Sequence, residues 1–457
     1  MKAKRIIMVF IIVCIIVVGA LIVINNKTDL LKNEKQKFNK YISKNSEITN
    51  IFNDENVQAI KNKKSQSPYV VDSSITIDTG DSIYTITANT SAQNSNDINT
   101  YVDFQFNNDD IIDFNLVKKS NLVGIKMDEL ANGYICVKNN NIAALADEIG
   151  IEDKTTLPES ISMTNYMDLL YLLPSDVKYL TETYMGIIYN KTGDSNYSTE
   201  ESSVKINDHI HMAKGYKVSL TENEAKDVLK EIIDNLSKDS RTLNIISSKM
   251  KILNMPSKYT DVEFLSKYFS DIAKDIEQAN TTDKPYMDII VYTENGELIQ
   301  TNIKIQDSRL IKIIYDRNDN SVSIKQERLN DKNIDLIGNN EFIRKLTGIF
   351  EKVKDFKVKN EFSDKNTLST KCSVALYGNK NIEYNSRTKI MDNVEKDTDF
   401  ENSTKVILNE LENDKLKYLY NAIVKTIPEI YNQKKQIIEG ANNTGEDLDS
   451  SSESNEQ

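Results

Sequence analysis

The residues with the clearest potential for chemistry are the two histidines, His209 and His211, which follow Asp208. If this segment is a strand, side chains two positions apart share a face, so both imidazoles could bind one metal ion. A metal site also needs a third ligand and groups that orient the ligands, and the sequence indicates neither. The alternative is a strand with two polar residues on its outer face and apolar residues such as Ile210 and Met212 on its inner face. His209 and His211 are therefore the metal candidates, and the alternative stays open.

Other kinds of catalytic or cofactor site leave no pattern in the sequence. There is no G-x-S-x-G nucleophile elbow, no phosphate-binding glycine loop, and no local motif that joins a cysteine to a histidine. Acidic pairs such as Asp109-Asp110 are uninformative in a chain with 69 acidic residues. Residues 316–327 match a calcium loop in part, but Ser321 stands where that loop requires glycine, and a polar hairpin turn explains the same residues. We predict no catalytic residue and no cofactor, and we favour a non-catalytic role.

The composition excludes several classes of protein. The 457 residues are 39% hydrophobic and 28% charged, with few Gly, Pro and Cys, which excludes collagen-like, disulfide-scaffold and wholly disordered chains. A formal net charge of −12 argues against a nucleic-acid partner, since phosphate contact needs a clustered basic surface. Lys outnumbers Arg by 50 to 7, and Asn and Ile are abundant, a bias typical of low-GC Gram-positive bacteria.

Residues 6–24 are the strongest single signal of the chain. They are nineteen apolar residues without a charge, and they follow a leader, residues 1–5, that contains Lys2, Lys4 and Arg5. A helix of this length reaches about 28 Å, roughly one hydrocarbon core, so we predict a transmembrane helix that contacts the lipid bilayer. A cleaved signal peptide is the alternative, but its apolar region is usually about 7–15 residues long and ends at small residues.

The charges on either side of this apolar run favour opposite orientations. The positive-inside rule places the leader in the cytoplasm, whereas the six lysines from Lys27 to Lys44 favour the reverse. A short basic leader before an apolar run is the usual layout of exported proteins, and long domains are translocated despite their charge. We therefore expect a single-pass protein of the cell membrane with its C-terminal ectodomain outside.

The remaining sequence alternates between helical and strand-like segments. Residues 28–63 and 140–190 have the apolar spacing of helices, whereas residues 69–139 mostly alternate with the period of strands. A capping box at residues 221–224 predicts the start of another helix, and apolar spacing predicts an amphipathic helix over 262–276. The strongest hairpin signal is Asn295-Gly296 within residues 285–305, and we also expect helices over 341–355 and 400–438, with Pro428 as a kink or boundary.

These segments predict an α+β fold, with a transmembrane helix followed by an ectodomain of antiparallel sheets packed with helices. The order of helix, sheet and helices recurs along the chain, which suggests two similar sheet-plus-helix units, and a chain of this length is expected to have more than one core. The acidic C-terminal residues are too polar to bury a core and are expected to be disordered. The predicted divisions are the cytoplasmic leader 1–5, the transmembrane helix 6–24, a first unit 25–255, a second unit 256–440 and an acidic tail 441–457.

Two cysteines, Cys136 and Cys372, lie outside the apolar segment. An oxidising compartment would allow one long-range disulfide between them. Both fall in strand-like segments, however, where a free cysteine is often a small buried apolar residue. The sequence leaves both alternatives open.

Residues 122–161 resemble a pattern in uncharacterised clostridial proteins that have one N-terminal membrane span and a domain of unknown function. In that pattern a short Asn-rich strand leads into a helix that ends in a Leu/Ile-Gly-Ile unit before a proline. The matching positions are Tyr134, Val137, Asn139, Ile149, Gly150, Ile151 and Pro158. The resemblance implies a class and a location but no activity.

The sequence thus favours an anchored extracytoplasmic envelope protein that binds or scaffolds. A more specific form is a carrier of a hydrophobic ligand such as a lipid, because curved antiparallel sheets with helices against one face give the same order of elements. The alternative from another class is a cell-surface or cell-wall hydrolase, which needs carboxylates or His209 and His211 in a polar cleft. A third option is an envelope protein partner bound through the membrane segment or the helix that follows it.

Overall fold

The computed structural model describes most of the chain between its two ends. The described residues are 33–43, 55–151, 157–161, 163, 172–206, 208–306, 309–316, 319–329, 352–395 and 398–446. The predicted leader 1–5, the predicted transmembrane segment 6–24 and the last residues of the predicted tail, 447–457, lie outside them. Within the described part of the chain, no helix is long and apolar enough to cross a membrane.

Sixteen strands of the described residues form one sheet. The strands are β1 Tyr69–Asp78, β2 Ile83–Asn94, β3 Asp97–Phe106, β4 Asp109–Lys119, β5 Leu122–Lys126, β6 Tyr134–Lys138, β7 Tyr197–Ile206, β8 His209–Thr221, β9 Pro285–Glu294, β10 Glu297–Ile305, β11 Arg309–Asp316, β12 Ser321–Arg328, β13 Val353–Asp364, β14 Thr367–Leu376, β15 Lys380–Ile390 and β16 Lys405–Ile407. Their order across the sheet is 16-6-5-4-3-2-1-15-14-13-12-11-10-9-8-7. All neighbours are antiparallel except β16 and β6.

The predicted division into two units, each with its own sheet, is wrong. Strands β1 to β6 lead outward to one side, the chain then crosses to the opposite edge, and β7 to β15 lead back until β15 pairs with β1. This pairing covers ten residues, from Tyr69 opposite Ile390 to Asp78 opposite Asn381. Two separate sheets would leave β1 and β15 as exposed edges with unpaired backbone groups, and the pairing removes both edges.

Nine α-helices occur among the described residues. They are α1 Glu34–Ser43, α2 Glu55–Lys64, α3 Ile142–Glu148, α4 Pro174–Lys191, α5 Glu222–Lys238, α6 Ser240–Ile252, α7 Val262–Glu277, α8 Asp399–Asn402 and α9 Asn413–Glu446. Helices α1 and α2 contact the sheet, whereas α4 to α7 mostly pack on one another. Between β8 and β9 the chain therefore leaves the sheet to form a helical layer and then returns to the neighbouring strand.

Several local signals of the sequence are confirmed. Thr221 and Glu224 form the capping box at the start of α5, and α7 occupies the predicted amphipathic segment. Asn295 and Gly296 have φ values of 52° and 78°, which the tight turn between β9 and β10 requires. In each case the feature depends on neighbouring residues alone, so sequence reasoning could reach it.

The C-terminal region differs from the two closing helices that the sequence predicts. The short helix α8 is followed by β16, and a single helix of 34 residues, α9, then continues through Pro428. On the outer side of the sheet edge, Phe400 of α8 packs against Tyr134 with ring centroids 4.9 Å apart. This contact and the pairing of β16 with β6 fix the start of α9 beside the edge strand. The helix expected over 341–355 is a strand at Val353–Asp355, and residues 341–351 lie outside the described residues.

Two apolar cores hold these layers. The larger core joins Phe38 and Tyr41 of α1 and Val57 of α2 to one face of the sheet, and it extends from β1 to β15 and across to β8. The second core lies inside the helical layer of α4 to α7 and includes Leu180 and Phe269. We call the face of the sheet that contributes to the larger core the inner face, and the opposite face the outer face.

Candidate ligand-binding face

Five neighbouring strands in the middle of the sheet have two chemically different faces. We call β3, β2, β1, β15 and β14 the central strands. On β1, Tyr69 and Val71 belong to the larger core, so the alternating positions of β1 through Ile77 lie on the inner face. Directly paired residues of adjacent strands share a face, and the register therefore assigns the inner positions of the other four strands.

The inner positions of the central strands carry no charge over almost their whole length. Lys380, the first residue of β15, is the exception among these described positions. The other inner residues are Tyr69, Val71, Ser73, Ile75 and Ile77 of β1, Tyr84, Ile86, Ala88, Thr90 and Ala92 of β2, Ile98, Thr100, Val102, Phe104 and Phe106 of β3, Leu368, Thr370, Cys372, Val374 and Leu376 of β14, and Ile382, Tyr384, Ser386, Thr388 and Ile390 of β15.

The outer positions of the same strands are mostly polar and often charged. Examples are Asp72 of β1, Asp103 of β3, Lys371 of β14, and Glu383 and Arg387 of β15. A sheet with one covered and one solvated face is expected to show this alternation. The inner face of the central strands is therefore the apolar face. The described helices do not cover all parts of it equally.

Part of the inner face remains accessible. Two rows of large side chains run across β2, β1, β15 and β14, and we call them the apolar stripe: Tyr84, Ile86, Ile75, Ile77, Ile382, Tyr384, Cys372 and Val374. The side chains of Ile77 and Ile86 are each 37% exposed, whereas Val71 on the same strand as Ile77 is 4% exposed. Ile77 and Ile86 lie on neighbouring strands, one row apart, so their exposed parts belong to one patch. Contiguous exposed apolar surface can mark a site of contact with another molecule.

Helix α9 borders the stripe on one side. The ring of Tyr431 lies 6.1 Å from the ring of Phe104, and Nζ of Lys435 lies 5.0 Å from the ring of Phe106. Lys434 also pairs with Glu129 at 2.9 Å, which fixes the helix beside the end of β5. These contacts place α9 over β3 and β4, on the same face as the stripe.

Helices α1 and α2 border the inner face on the other side. Helix α2 contacts β14 and β15 through the buried Val57 and Ile60, and Lys63 donates a hydrogen bond of 2.7 Å to Asn366 in the turn between β13 and β14. Helix α1 contacts β7 to β10. The stripe thus lies between α9 and the α1–α2 pair, with a floor of sheet residues and helices on two sides.

The two cysteines lie on opposite faces of the sheet and both are free. Cys372 belongs to the apolar stripe, and burial raises the pKa of its thiol to about 12. Cys136 lies on the outer face under Phe400, and burial also raises its pKa. The disulfide that the sequence left open is not formed, and both thiols act as small apolar groups.

The histidine candidates lie at the far edge of the sheet, in the hairpin of β7 and β8. Nδ1 of His211 is 2.9 Å from Oε2 of Glu294, while His209 is exposed at the start of β8. Among the described residues, no group of three or more His, Cys, Asp or Glu side chains is arranged to hold a metal ion. Ile210 and Met212 point away from the histidines and are each 74% exposed. The structure brings His211 to one carboxylate and leaves His209 apart from it.

Sequence reasoning found the strand-like alternation of β1 to β3 among the central strands but not the stripe. The alternation in residues 83–90 indicates one apolar face, and that signal was readable. The partner of β1 was not readable, because β15 lies about three hundred residues further along the chain and joins it only through the fold. The stripe exists because these two distant segments meet in register.

Comparison with known proteins adds two distant likenesses. No protein-family model matches the chain, and no curated protein matches it. A solved outer membrane lipoprotein-sorting protein domain from Vibrio parahaemolyticus is 9% identical, with a TM-score of 0.20, over 76% of this chain and 96% of that one. A LolA superfamily protein from Nitrosomonas europaea is 9% identical, with a TM-score of 0.18, over 74% of this chain and 94% of that one. These values are too low to assign the activity of either protein to this chain.

Proposed function

We propose that this protein binds a hydrophobic ligand on the apolar stripe, between α9 and the α1–α2 pair. The observation that carries the proposal is the exposure of Ile77 and Ile86 among the apolar inner residues of the central strands. Soluble proteins rarely leave contiguous apolar surface open without a binding role. The stripe crosses four strands, so its width is about 14–19 Å at the usual strand spacing, which suits an extended alkyl chain.

Burial of an alkyl chain supplies enough free energy for such binding. Each methylene group transferred from water to an apolar surface contributes about 0.8 kcal/mol, and the isoleucines gain a similar benefit from their own burial. A chain of several methylenes would therefore offset the several kcal/mol that association costs. The eight side chains of the stripe carry no charge, so their burial under a ligand strips no water from an ion.

A fluorescence titration tests the proposal. The purified full-length chain in amphipol is titrated with N-phenyl-1-naphthylamine, whose emission rises in an apolar site. We expect saturable binding, and we expect Ile86→Asp to weaken it at least about tenfold, because a charge enters the stripe. The matched control is Thr85→Asp, one residue away on the outer face, which should bind as the wild type does.

Two results would contradict the proposal. One is an absence of saturable binding while circular dichroism shows a folded wild-type chain. The other is an equal loss of binding in the Ile86→Asp and Thr85→Asp variants, which would mean that the fluorophore does not occupy the inner face.

We further propose that the protein works outside the cell membrane, anchored to the bilayer by residues 6–24. The support is the run of nineteen apolar residues after a short basic leader. The test is protease accessibility in intact cells combined with extraction of membranes at high pH. The chain should stay with the membrane pellet and be cleaved from outside. Release into the soluble fraction, or protection from protease in intact cells, would contradict the location.

A further inference from the structure

Two lysines border one end of the apolar stripe, where β1 and β3 end and β2 and β15 begin. Tyr84, Ile77 and Ile382 form the last row of the stripe at this end, because each pairs directly with the next across β2, β1 and β15. Lys380 occupies the next inner position of β15 beyond Ile382. Lys435 of α9 lies beside the same row on the side of β3. We call Lys380 and Lys435 the border lysines.

The ammonium group of Lys435 lies over aromatic rings at the margin of the stripe. Its Nζ is 5.0 Å from the centre of the Phe106 ring and 6.0 Å from that of Tyr431. Phe106 pairs directly with Tyr84 of the stripe, and their ring centroids are 5.2 Å apart. Glu439, one helical turn further along α9, is 3.7 Å from Nζ, and the side chains of Lys435 and Glu439 are 29% and 52% exposed. An exposed ion pair of this kind is weak, so it leaves Lys435 able to attract another anion.

The ammonium group of Lys380 is not neutralised within the described part of the chain. It is exposed, and no hydrogen bond or ion pair joins it to another described residue. The described inner positions of the central strands carry no acidic side chain. At this end of the sheet, Asp78 lies on the outer face, Asp81 lies in the turn between β1 and β2, and Asp109 begins β4, outside the stripe. The charges on the inner face at this end of the stripe are therefore cations, in a chain with 69 acidic and 57 basic residues.

We infer that the ligand of the apolar stripe is an anionic amphiphile, an inference that rests on the function proposed above. Its alkyl chain lies on the stripe, and its carboxylate or phosphate group lies at the end that Lys380 and Lys435 border. Because this end is open to water, the head group keeps part of its hydration, and the full penalty for burying a charge does not arise. The two ammonium groups attract an anionic head group and repel a cationic one.

Competition between amphiphiles with chains of the same length tests this inference. The full-length chain in a non-ionic amphipol is loaded with N-phenyl-1-naphthylamine, which is neutral. The fluorophore is then displaced by decanoate, decyl phosphate, monodecanoylglycerol or decyltrimethylammonium. We expect each anion to act at a concentration about fivefold or more below that of the neutral glyceride, since each exposed ion pair raises affinity up to a few-fold. The cation should be the weakest competitor, and the more effective anion identifies the head group.

The inner-face variant is Lys380→Gln/Lys435→Gln. Its preference for the anions should fall to within about twofold of the glyceride. Anion and glyceride are compared within each variant, so a change in its affinity for the fluorophore does not affect the result. The matched control is Lys371→Gln/Lys389→Gln, which removes the same two charges from outer positions of β14 and β15. This control should keep the full preference for the anions.

Three results overturn the inference and leave the proposed function standing. One is equal displacement of the fluorophore by the anions and the glyceride in the wild type. The second is a preference for the anions that survives in the inner-face variant. The third is an equal loss of that preference in the outer-face control, which would reflect net charge rather than the border lysines. If the fluorophore does not bind the folded wild type, the proposed function fails and the inference fails with it.

Discussion

The inner and outer faces of the central strands come from the same stretches of sequence and differ at every second residue. On β1, the inner residues Ile75 and Ile77 alternate with Ser74, Thr76 and Asp78 on the outer face. The outer face needs no covering layer because water satisfies its polar groups. The inner face does need one, and the helices of the described residues cover it only toward its two sides. The difference leaves apolar side chains of the stripe partly exposed, and this exposure is the basis of the function proposed above.

A second region, β9 and β11, has buried apolar residues on both faces of the sheet. On β9 and β11, both faces are apolar: Val291 and Ile313 lie in the inner core, while Tyr292 and Ile314 lie in a small cluster on the outer face. That outer cluster also contains Val204, Ile206 and Ala213 of the neighbouring strands β7 and β8. These four apolar residues of β9 and β11 are buried whichever face they occupy, whereas Ile77 and Ile86 of the central strands are each 37% exposed.

The largest effect is expected from a charge placed in the covered part of the inner face. Val71→Asp introduces a carboxylate where the native side chain is 4% exposed, and we expect a loss of about 4 kcal/mol or more, enough to unfold much of the protein. Ser74→Asp, on the outer face of the same strand, should change stability by no more than about 0.5 kcal/mol. Urea unfolding followed by circular dichroism measures both, and similar costs at the two positions would remove the distinction between the faces.

A cavity series compares the covered and the exposed parts of the inner face. Ile313→Ala removes a side chain that is 4% exposed and should cost about 3 kcal/mol. Ile86→Ala removes one that is 37% exposed and should cost about 1 kcal/mol, because water already reaches part of it. The measurement is the urea midpoint of each variant. A cost for Ile86→Ala as large as that for Ile313→Ala would show that the stripe is part of the folded core.

The helical layer offers a contrast in how a carboxylate is tolerated. Asp239 caps α6 and accepts hydrogen bonds from Thr242, from Tyr179 at 2.8 Å and from Tyr184 at 3.0 Å. Burial opposes its ionisation, but these hydrogen bonds outweigh burial and lower its pKa. Asp239→Ala should cost about 2 kcal/mol at neutral pH, more than the cap alone, because it also leaves two phenol groups unpaired.

The pH dependence of this variant follows from the lowered pKa. A carboxyl group whose pKa is lower in the folded state stabilises the protein above its unfolded pKa, and that stability is lost as the pH falls through the folded value. The difference between wild type and Asp239→Ala should therefore shrink at about pH 3. The control is Asp261→Ala, an exposed cap of α7 with one hydrogen bond of 2.7 Å from Phe264, which should cost about 1 kcal/mol. Equal costs at Asp239 and Asp261 would mean that the two tyrosines contribute nothing.

The sequence was sufficient wherever a feature depends on nearby residues. The capping box of α5, the turn at Asn295-Gly296 and the amphipathic α7 are all confirmed. The alternation of β1 to β3 also indicated a sheet with one apolar face. These features depend on backbone preferences and short-range periodicity, which a single sequence contains.

The pairing of strands that are distant along the chain could not be predicted from the sequence. The pairing of β1 with β15 and of β8 with β9 unites the two predicted units in one sheet. Antiparallel strands with similar alternation can pair in many combinations, and no local residue selects the partner. The candidate site depends on these pairings, since its floor combines Ile77 with Ile382 and Ile75 with Tyr384. The sequence therefore indicated the chemistry of each strand but not the surface that the strands form together.

The smallest predicted effect concerns repulsion on the outer face. Asp103 of β3 lies directly opposite Asp113 of β4, and Gln105 bridges Asp103 and Asp110 at 2.8 and 2.9 Å. Burial, followed by the charges of Asp110 and Asp113, raises the pKa of Asp103. Asp103→Asn keeps an acceptor for Gln105 and removes one charge, so we expect a gain of about 0.5 kcal/mol at neutral pH.

The sign of the pH effect distinguishes this repulsion from a simple change in packing. A carboxyl group whose pKa is raised on folding destabilises the protein where it is ionised, and the penalty disappears as the pH falls below its unfolded value. The gain from Asp103→Asn should therefore be present at neutral pH and vanish near pH 3, as measured by melting temperature. The comparison on the inner face is Thr100→Val on the same strand, whose effect should be the same at both pH values. A gain for Asp103→Asn that persists in acid would show that charge repulsion is not its cause, and that the solvated outer face tolerates opposed carboxylates at no cost.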